Sequence, residues 1–121
     1  MSRIEKVRVL IAEDQTLIRE GIATLLAQQN DDFEILPGAS DGEQAIEFAR
    51  RYRPDVILMD LQMPVMDGYE ATRRIKADPA LKSIPVIAVT SYALSGDGEK
   101  TRAAGCDGYI AKPYGPGEMV G

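Results

Sequence analysis

The stretch "DVILMDLQMPVMDGYEA", residues 55–71, decides the fold. Val56, Ile57, Leu58 and Met59 are apolar without a break, so they lack the alternation of a strand with one wet face. A short run of this kind fits a strand covered on both sides, as in a parallel sheet. It leads directly into Asp60, and an ionised acid beside buried apolar groups is costly unless a charge or hydrogen bond meets it. Asp67 and Gly68 then open a helical pattern that runs to about Lys76.

The same unit recurs on either side. Residues 7–12 form a β-type run followed by Glu13 and Asp14. "QTLIREGIATLLAQ" (15–28) places Leu17, Ile18, Ile22, Leu25 and Leu26 on a helical stripe. "FEILPGAS" (33–40) is a weaker strand ended by Pro37 and Gly38. "DGEQAIEFARRY" (41–52) is a helix capped by Asp41 or Ser40, facing inward through Ala45, Ile46 and Ala49, and stopped by Pro54. "DPALKSIP" (78–85) reads as a loop and "VIAVT" (86–90) as a fourth strand. "GDGEKTRAAG" (96–105) has a helical pattern capped at Gly105, and "GYIAK" (108–112) is a fifth strand. Five strands alternating with four helices predict an α/β fold: a doubly wound parallel sheet with helices on both faces.

In open parallel sheets, function gathers at the carboxyl ends of the strands. The first strand ends in Glu13 and Asp14, the third in Asp60, the fourth in Thr90 and Ser91, and the fifth in Lys112. Three acids brought together raise one another's pKa, and a divalent cation relieves the repulsion. A donor set of oxygens alone favours Mg²⁺, with Mn²⁺ as a substitute. With Lys112 on its other side, Asp60 would lie between two cations, a setting that attracts a phosphoryl group. An aspartate oxygen can itself attack phosphorus and form an aspartyl phosphate. The hydroxyls of Thr90 and Ser91 would then hydrogen-bond the phosphoryl oxygens.

Composition narrows the chemistry further. The chain has 121 residues, enough for one domain with a real core. Fourteen basic and nineteen acidic residues give a net charge of −5, which argues against direct nucleic-acid binding. "RRIK" and "ARRYR" read as solvated helix faces. There is no histidine, so serine–histidine catalysis is excluded, and any phosphohistidine must come from another molecule. Cys106 is the single cysteine and reads as an incidental residue of a turn. The N-terminus lacks a signal-peptide pattern, and no apolar run approaches the about 20 residues that cross a bilayer. The expectation is a cytoplasmic protein without membrane contact.

The motifs "LIAED", "DVILMDLQMPVMDGYEA", "IPVIAVTS" and "GCDGYIAKP", in that order, resemble those of response-regulator receiver domains, the CheY-like family of two-component signalling, over about residues 7–114. The resemblance implies a flavodoxin-like five-stranded sheet of order 2-1-3-4-5. It implies that Asp60 is the phosphoacceptor and that Asp14, Glu13 and the backbone carbonyl of Gln62 join Asp60 around Mg²⁺. Thr90 would move toward the phosphoryl group, Lys112 would pair with it, and Tyr109 would be the aromatic switch. The Lys112–Pro113 peptide would be cis, X–Pro being the common setting for that isomer. The donor would be a histidine kinase or a histidine phosphotransfer protein, and the output a further protein or domain.

Three features depart from the family pattern. Glu13 stands where many receivers carry aspartate, which implies altered cation affinity. Gly98 weakens the fourth helical pattern by up to about 1 kcal/mol. After Pro113 comes only "YGPGEMVG", too rich in glycine and proline for a stable helix, so the fifth helix is expected to be truncated or absent. The chain is therefore expected to be one domain, 1–121, with its core in 7–114 and an irregular tail over 115–121.

Singly, each residue has an ordinary explanation. Asp60, Glu13 and Asp14 could cap turns or helices, Thr90 could sit in a turn, and Lys112 could be a surface lysine. Tyr109 could be a core aromatic with a polar tip. The convergence of four motifs favours a phosphorylation-controlled module over the alternatives. A pseudo-receiver would be an interaction domain with a dead site. A Mg²⁺-dependent phosphohydrolase would need an acid two residues after its nucleophile, where this chain has Gln62. A flavodoxin-type protein would need a hydroxyl-rich phosphate loop where this chain has "EDQT".

Overall fold

The computed structural model describes residues 6–29, 32–90 and 102–111. In chain order they form β1 (Val7–Ala12), α1 (Thr16–Gln29), β2 (Phe33–Ile35), α2 (Gly42–Tyr52), β3 (Val56–Asp60), α3 (Gly68–Ala77), β4 (Val86–Thr90) and β5 (Gly108–Ala111). The strands pair in parallel in the order β2-β1-β3-β4-β5. This is the doubly wound, flavodoxin-like order that the resemblance implied. The order reverses at β1, so β1 and β3 lie side by side at the switch point.

Alternation along the strands feeds two cores. Leu10 and Ala12 of β1 and Ile57 and Met59 of β3 face α2 and α3, where Ala45, Ile46, Ala49, Ala71 and Ile75 meet them. Val9 and Ile11, with Val56 and Leu58, face Ile18, Ile22 and Leu26 of α1. The unbroken apolar run of β3 is thus explained by helices on both faces. The stripe expected on α1 is narrower than its sequence suggests, because Leu17 is 84% and Leu25 47% exposed. Ile18, Ile22 and Leu26 advance only about 40° per step of four residues, so they stay on the sheet, with Ala23 beside them.

The caps fall where the side chains can supply them. Asp41, and not Ser40, caps α2 by accepting from Gln44 N–H at 2.8 Å. Ser40 N–H donates to Gln44 Oε1 at 2.9 Å, which completes a reciprocal arrangement close to a capping box. Asp67 caps α3 by accepting from Glu70 N–H at 2.9 Å. α2 ends at Arg53, whose left-handed backbone (φ 49°) sends its N–H back to Ala49 O. The Arg8 guanidinium donates to the carbonyls of Tyr52 (2.6 Å) and Arg53 (3.1 Å), satisfying acceptors that the helix end leaves over. Residues 102–104 are helical and close at Gly105, φ 105°, as its expected capping role requires. Cys106 is buried, its Sγ 3.8 Å from Thr72 Oγ1, so it packs in the core. Gly98, the Lys112–Pro113 peptide and the fifth-helix region lie outside the described residues.

A polar clasp ties the start of β5 to α3. Lys76 Nζ donates to the carbonyls of Lys82 (3.1 Å) and Ile84 (2.8 Å) and to Asp107 Oδ2 (2.8 Å). Val86 N–H donates to the same Asp107 oxygen at 2.8 Å. Burial works against ionisation of Asp107, but the Lys76 and Val86 hydrogen bonds and the Lys76 charge outweigh it and hold the carboxyl below its ordinary range. A depressed folded-state pKa stabilises the fold above the unfolded value, about 3.9, and that contribution disappears as pH falls through the folded value. Asp107→Asn is therefore expected to lower stability by about 1 kcal/mol at pH 7, a modest figure because the side chain is half exposed. Urea unfolding should show the difference shrinking as pH falls below the ordinary carboxylate range.

Candidate functional site

The site lies where β1 and β3 end. β1 stops at Ala12, paired with Met59, and β3 runs one residue further to Asp60, paired with Val89 of β4. Glu13 and Asp14 follow β1 directly. This register brings one carboxylate oxygen each from Glu13, Asp14 and Asp60 within 4.8 Å of one another. Glu13 is 1% and Asp60 3% exposed, whereas Asp14 faces solvent. The three acids predicted from the strand ends are therefore assembled as expected, and only one of them opens to water.

Glu13 and Asp60 are held by backbone. Glu13 N–H donates to Ala39 O at 2.9 Å, and Glu13 Oε2 accepts from Gln15 N–H at 3.1 Å. Asp60 Oδ1 accepts from Gln62 N–H at 3.2 Å, so Gln62 stands two residues past the acid at the rim of the cluster. The Asp60 backbone is fixed by α3: Gly68 N–H donates to Leu61 O at 3.2 Å. A Cβ at Gly68 would overlap the Asp60 carbonyl oxygen and lie 2.9 Å from Leu61 Cα. The loop between them bends at Val65, φ 67°, where Met66 N–H donates to Pro64 O at 2.6 Å. A β-branched residue is rarely found in that region of backbone space. Gly42 at the start of α2 anchors the bend, its N–H donating to Met66 O at 2.9 Å.

The remaining expected residues are placed by backbone or fall outside. Thr90 is the last residue of β4, one step beyond the Asp60 pairing, and lies opposite Ala111. Tyr109 lies in β5 and is 40% exposed, which excludes the reading of it as a core aromatic. Lys112, Pro113 and Ser91 lie outside the described residues. Sequence reasoning did not single out Gly42 or Arg19, and it saw Gly68 only as a helix start. A glycine in the first helical turn is a poor helix former, and that is the signal that could have marked both glycines as close approaches.

An oxygen-only cluster of three acids, two of them buried, suits a hard divalent cation. A doubly wound sheet carrying this cluster at its switch point defines a class: cation-assisted phosphoryl chemistry on a flavodoxin-like scaffold. The comparisons with known proteins agree. The sequence profile of the response regulator receiver domain matches residues 9–121. The polar-differentiation response regulator DivK of Brucella anthropi is 42% identical over 105 residues, 87% of this chain and 83% of that protein. The receiver domain of a sensor histidine kinase from Pseudomonas aeruginosa, crystallised with magnesium in its active-site cleft, superposes with TM-score 0.79 and 38% identity, covering 90% of this chain and 87% of that one. The phosphorylated cyanobacterial phytochrome response regulator RcpA does so with TM-score 0.79 and 30% identity, over 88% and 81%. The chain belongs to the response-regulator receiver family, the phosphorylation-controlled signalling domains of two-component systems. Such domains are signalling modules and not metabolic enzymes. No helix among the described residues is long and apolar enough to cross a membrane.

Proposed function

We propose that Asp60 is the phosphoacceptor, taking its phosphoryl group from a phosphohistidine on a histidine kinase or phosphotransfer protein. The observation that supports this most is the clustering of Glu13, Asp14 and Asp60 within 4.8 Å at the carboxyl edge of the sheet. A carboxylate oxygen of Asp60 attacks phosphorus, an aspartyl phosphate bond forms, and the phosphorus–nitrogen bond breaks with its electron pair returning to the imidazole. Glu13, Asp14, Asp60 and the Gln62 carbonyl would hold Mg²⁺. That cation, or Mn²⁺ in its place, supplies neutralisation of the charge on the phosphoryl oxygens. Gln62 N–H holds the Asp60 carboxylate in place for attack.

After transfer, Thr90 and Lys112 engage the new dianion. The β4–β5 edge, with Tyr109 as its aromatic switch, carries the change to the surface that an output protein reads. The chain promotes only its own phosphorylation and hydrolysis of that bond. Residues 1–121 form one domain with its core in 7–114. It works in the cytoplasm, makes no direct contact with nucleic acid or membrane, and presents its signal to another protein or domain.

The test is intact-protein mass spectrometry after incubation with acetyl phosphate. With Mg²⁺ the mass rises by one phosphoryl group, which peptide mapping assigns to Asp60, and with EDTA it does not. Cation binding without modification would make the domain a pseudo-receiver. Release of phosphate from many monoesters would make it a phosphohydrolase.

A further inference from the structure

Arg19 takes no part in the chemistry above, yet its side chain ends at the acidic cluster. It leaves the end of the first turn of α1 half-buried, and its Nη1 donates to the Glu13 carbonyl at 2.6 Å. The stem crosses Gly38, where a Cβ would overlap Arg19 Cδ and lie 2.7 Å from Nε. Next to Gly38, Ala39 donates to Ile11 O at 3.0 Å and accepts from Glu13 N–H at 2.9 Å. Glu13 is thus gripped by its N–H from one side and by its carbonyl from the other.

The carbonyl matters because it belongs to the rigid peptide plane between Glu13 and Asp14. Whatever fixes that oxygen fixes the direction in which the chain delivers Asp14. The short contact to a guanidinium is charge-assisted, so it is a firm anchor.

We propose that Arg19 is a positioning residue of the divalent-cation site: it sets the Glu13–Asp14 peptide plane, and Gly38 keeps the path of its side chain open. The inference rests on the cation site proposed above. It makes a prediction of unusual sign. A guanidinium beside a dication repels it, so deleting that charge alone would tighten cation binding. Loss of positioning loosens it instead.

The experiment is Mn²⁺ binding to the full chain, followed by electron paramagnetic resonance at fixed ionic strength, with circular dichroism to verify folding. Arg19→Met is expected to raise the dissociation constant about 10–100-fold, the usual effect of removing a group that orients metal ligands. Gly38→Ala, which displaces the same side chain without removing its charge, should move it in the same direction, and Arg19→Lys should fall between. Arg50→Gln removes a guanidinium that pairs with Asp78 at 3.4 Å on the outer face, and should change nothing. Unchanged or tighter Mn²⁺ binding in both Arg19→Met and Gly38→Ala would overturn the positioning role and leave the cation site standing. Absence of Mn²⁺ binding in the unmodified protein would overturn the cation site as well.

Discussion

Asp60→Asn is expected to take up no phosphoryl group from acetyl phosphate at any Mg²⁺ concentration, with no loss of stability in the metal-free protein. Asparagine has nearly the volume of aspartate, and its carbonyl oxygen can still accept the 3.2 Å hydrogen bond from Gln62 N–H, so the buried position stays filled and that bond is kept. It lacks the anionic oxygen that is proposed to attack phosphorus, so the expected loss is complete and not a matter of degree. The stability effect follows from the other two acids. Three carboxylates within 4.8 Å carry an excess of like charge, and removing one lowers the repulsion felt by Glu13 and Asp14. A gain of about 1 kcal/mol in urea unfolding without metal is expected, with weaker Mn²⁺ binding alongside it. A variant that is both unmodified and markedly unstable would point to a structural role for the acid.

Gly68→Ala should be strongly damaging for so small a substitution. Glycine to alanine within a helix ordinarily stabilises by up to about 1 kcal/mol. At Gly68 the new methyl would overlap the Asp60 carbonyl oxygen and crowd Leu61 Cα at 2.9 Å, and backbone does not step aside as a flexible side chain can. Either α3 or the end of β3 must shift. Overpacking of this kind costs about 1–3 kcal/mol, which more than cancels the helix gain. A displacement of Asp60 approaching 1 Å would also slow phosphoryl uptake about 100-fold. Gly21→Ala in α1 is the matched control: nothing lies within 4 Å of its Cβ position, so the same substitution should stabilise and leave uptake unchanged. Thermal unfolding and acetyl phosphate kinetics on the two variants check both halves. Equal effects at Gly21 and Gly68 would mean that the approach of α3 to Asp60 is unimportant.

What could be read from the sequence was what is local. The apolar run of Val56–Met59, a cap at Ser40 or Asp41, the helix start at Asp67–Gly68 and the stop at Pro54 depend on residues within a turn of one another. The three acids were legible because each follows a strand, and parallel strands must all end on the same edge. The family motifs then supplied the strand order, which the periodicity alone left open.

Packing over distance decided the rest. The stripe on α1 could not show that Leu17 would stand 84% exposed while Ile18 is covered, because that depends on the angle at which the helix meets β1 and β3. Nothing near Arg19 in the chain announces Gly38, and nothing near Lys76 announces Asp107; these pairs meet only after the sheet has formed. The same holds within the cluster. The sequence by itself determined that Glu13, Asp14 and Asp60 would share an edge, since alternation of strands and helices dictates it. Only the tertiary structure decided that Glu13 and Asp60 are buried while Asp14 meets solvent, because burial depends on which neighbouring backbone closes over each acid.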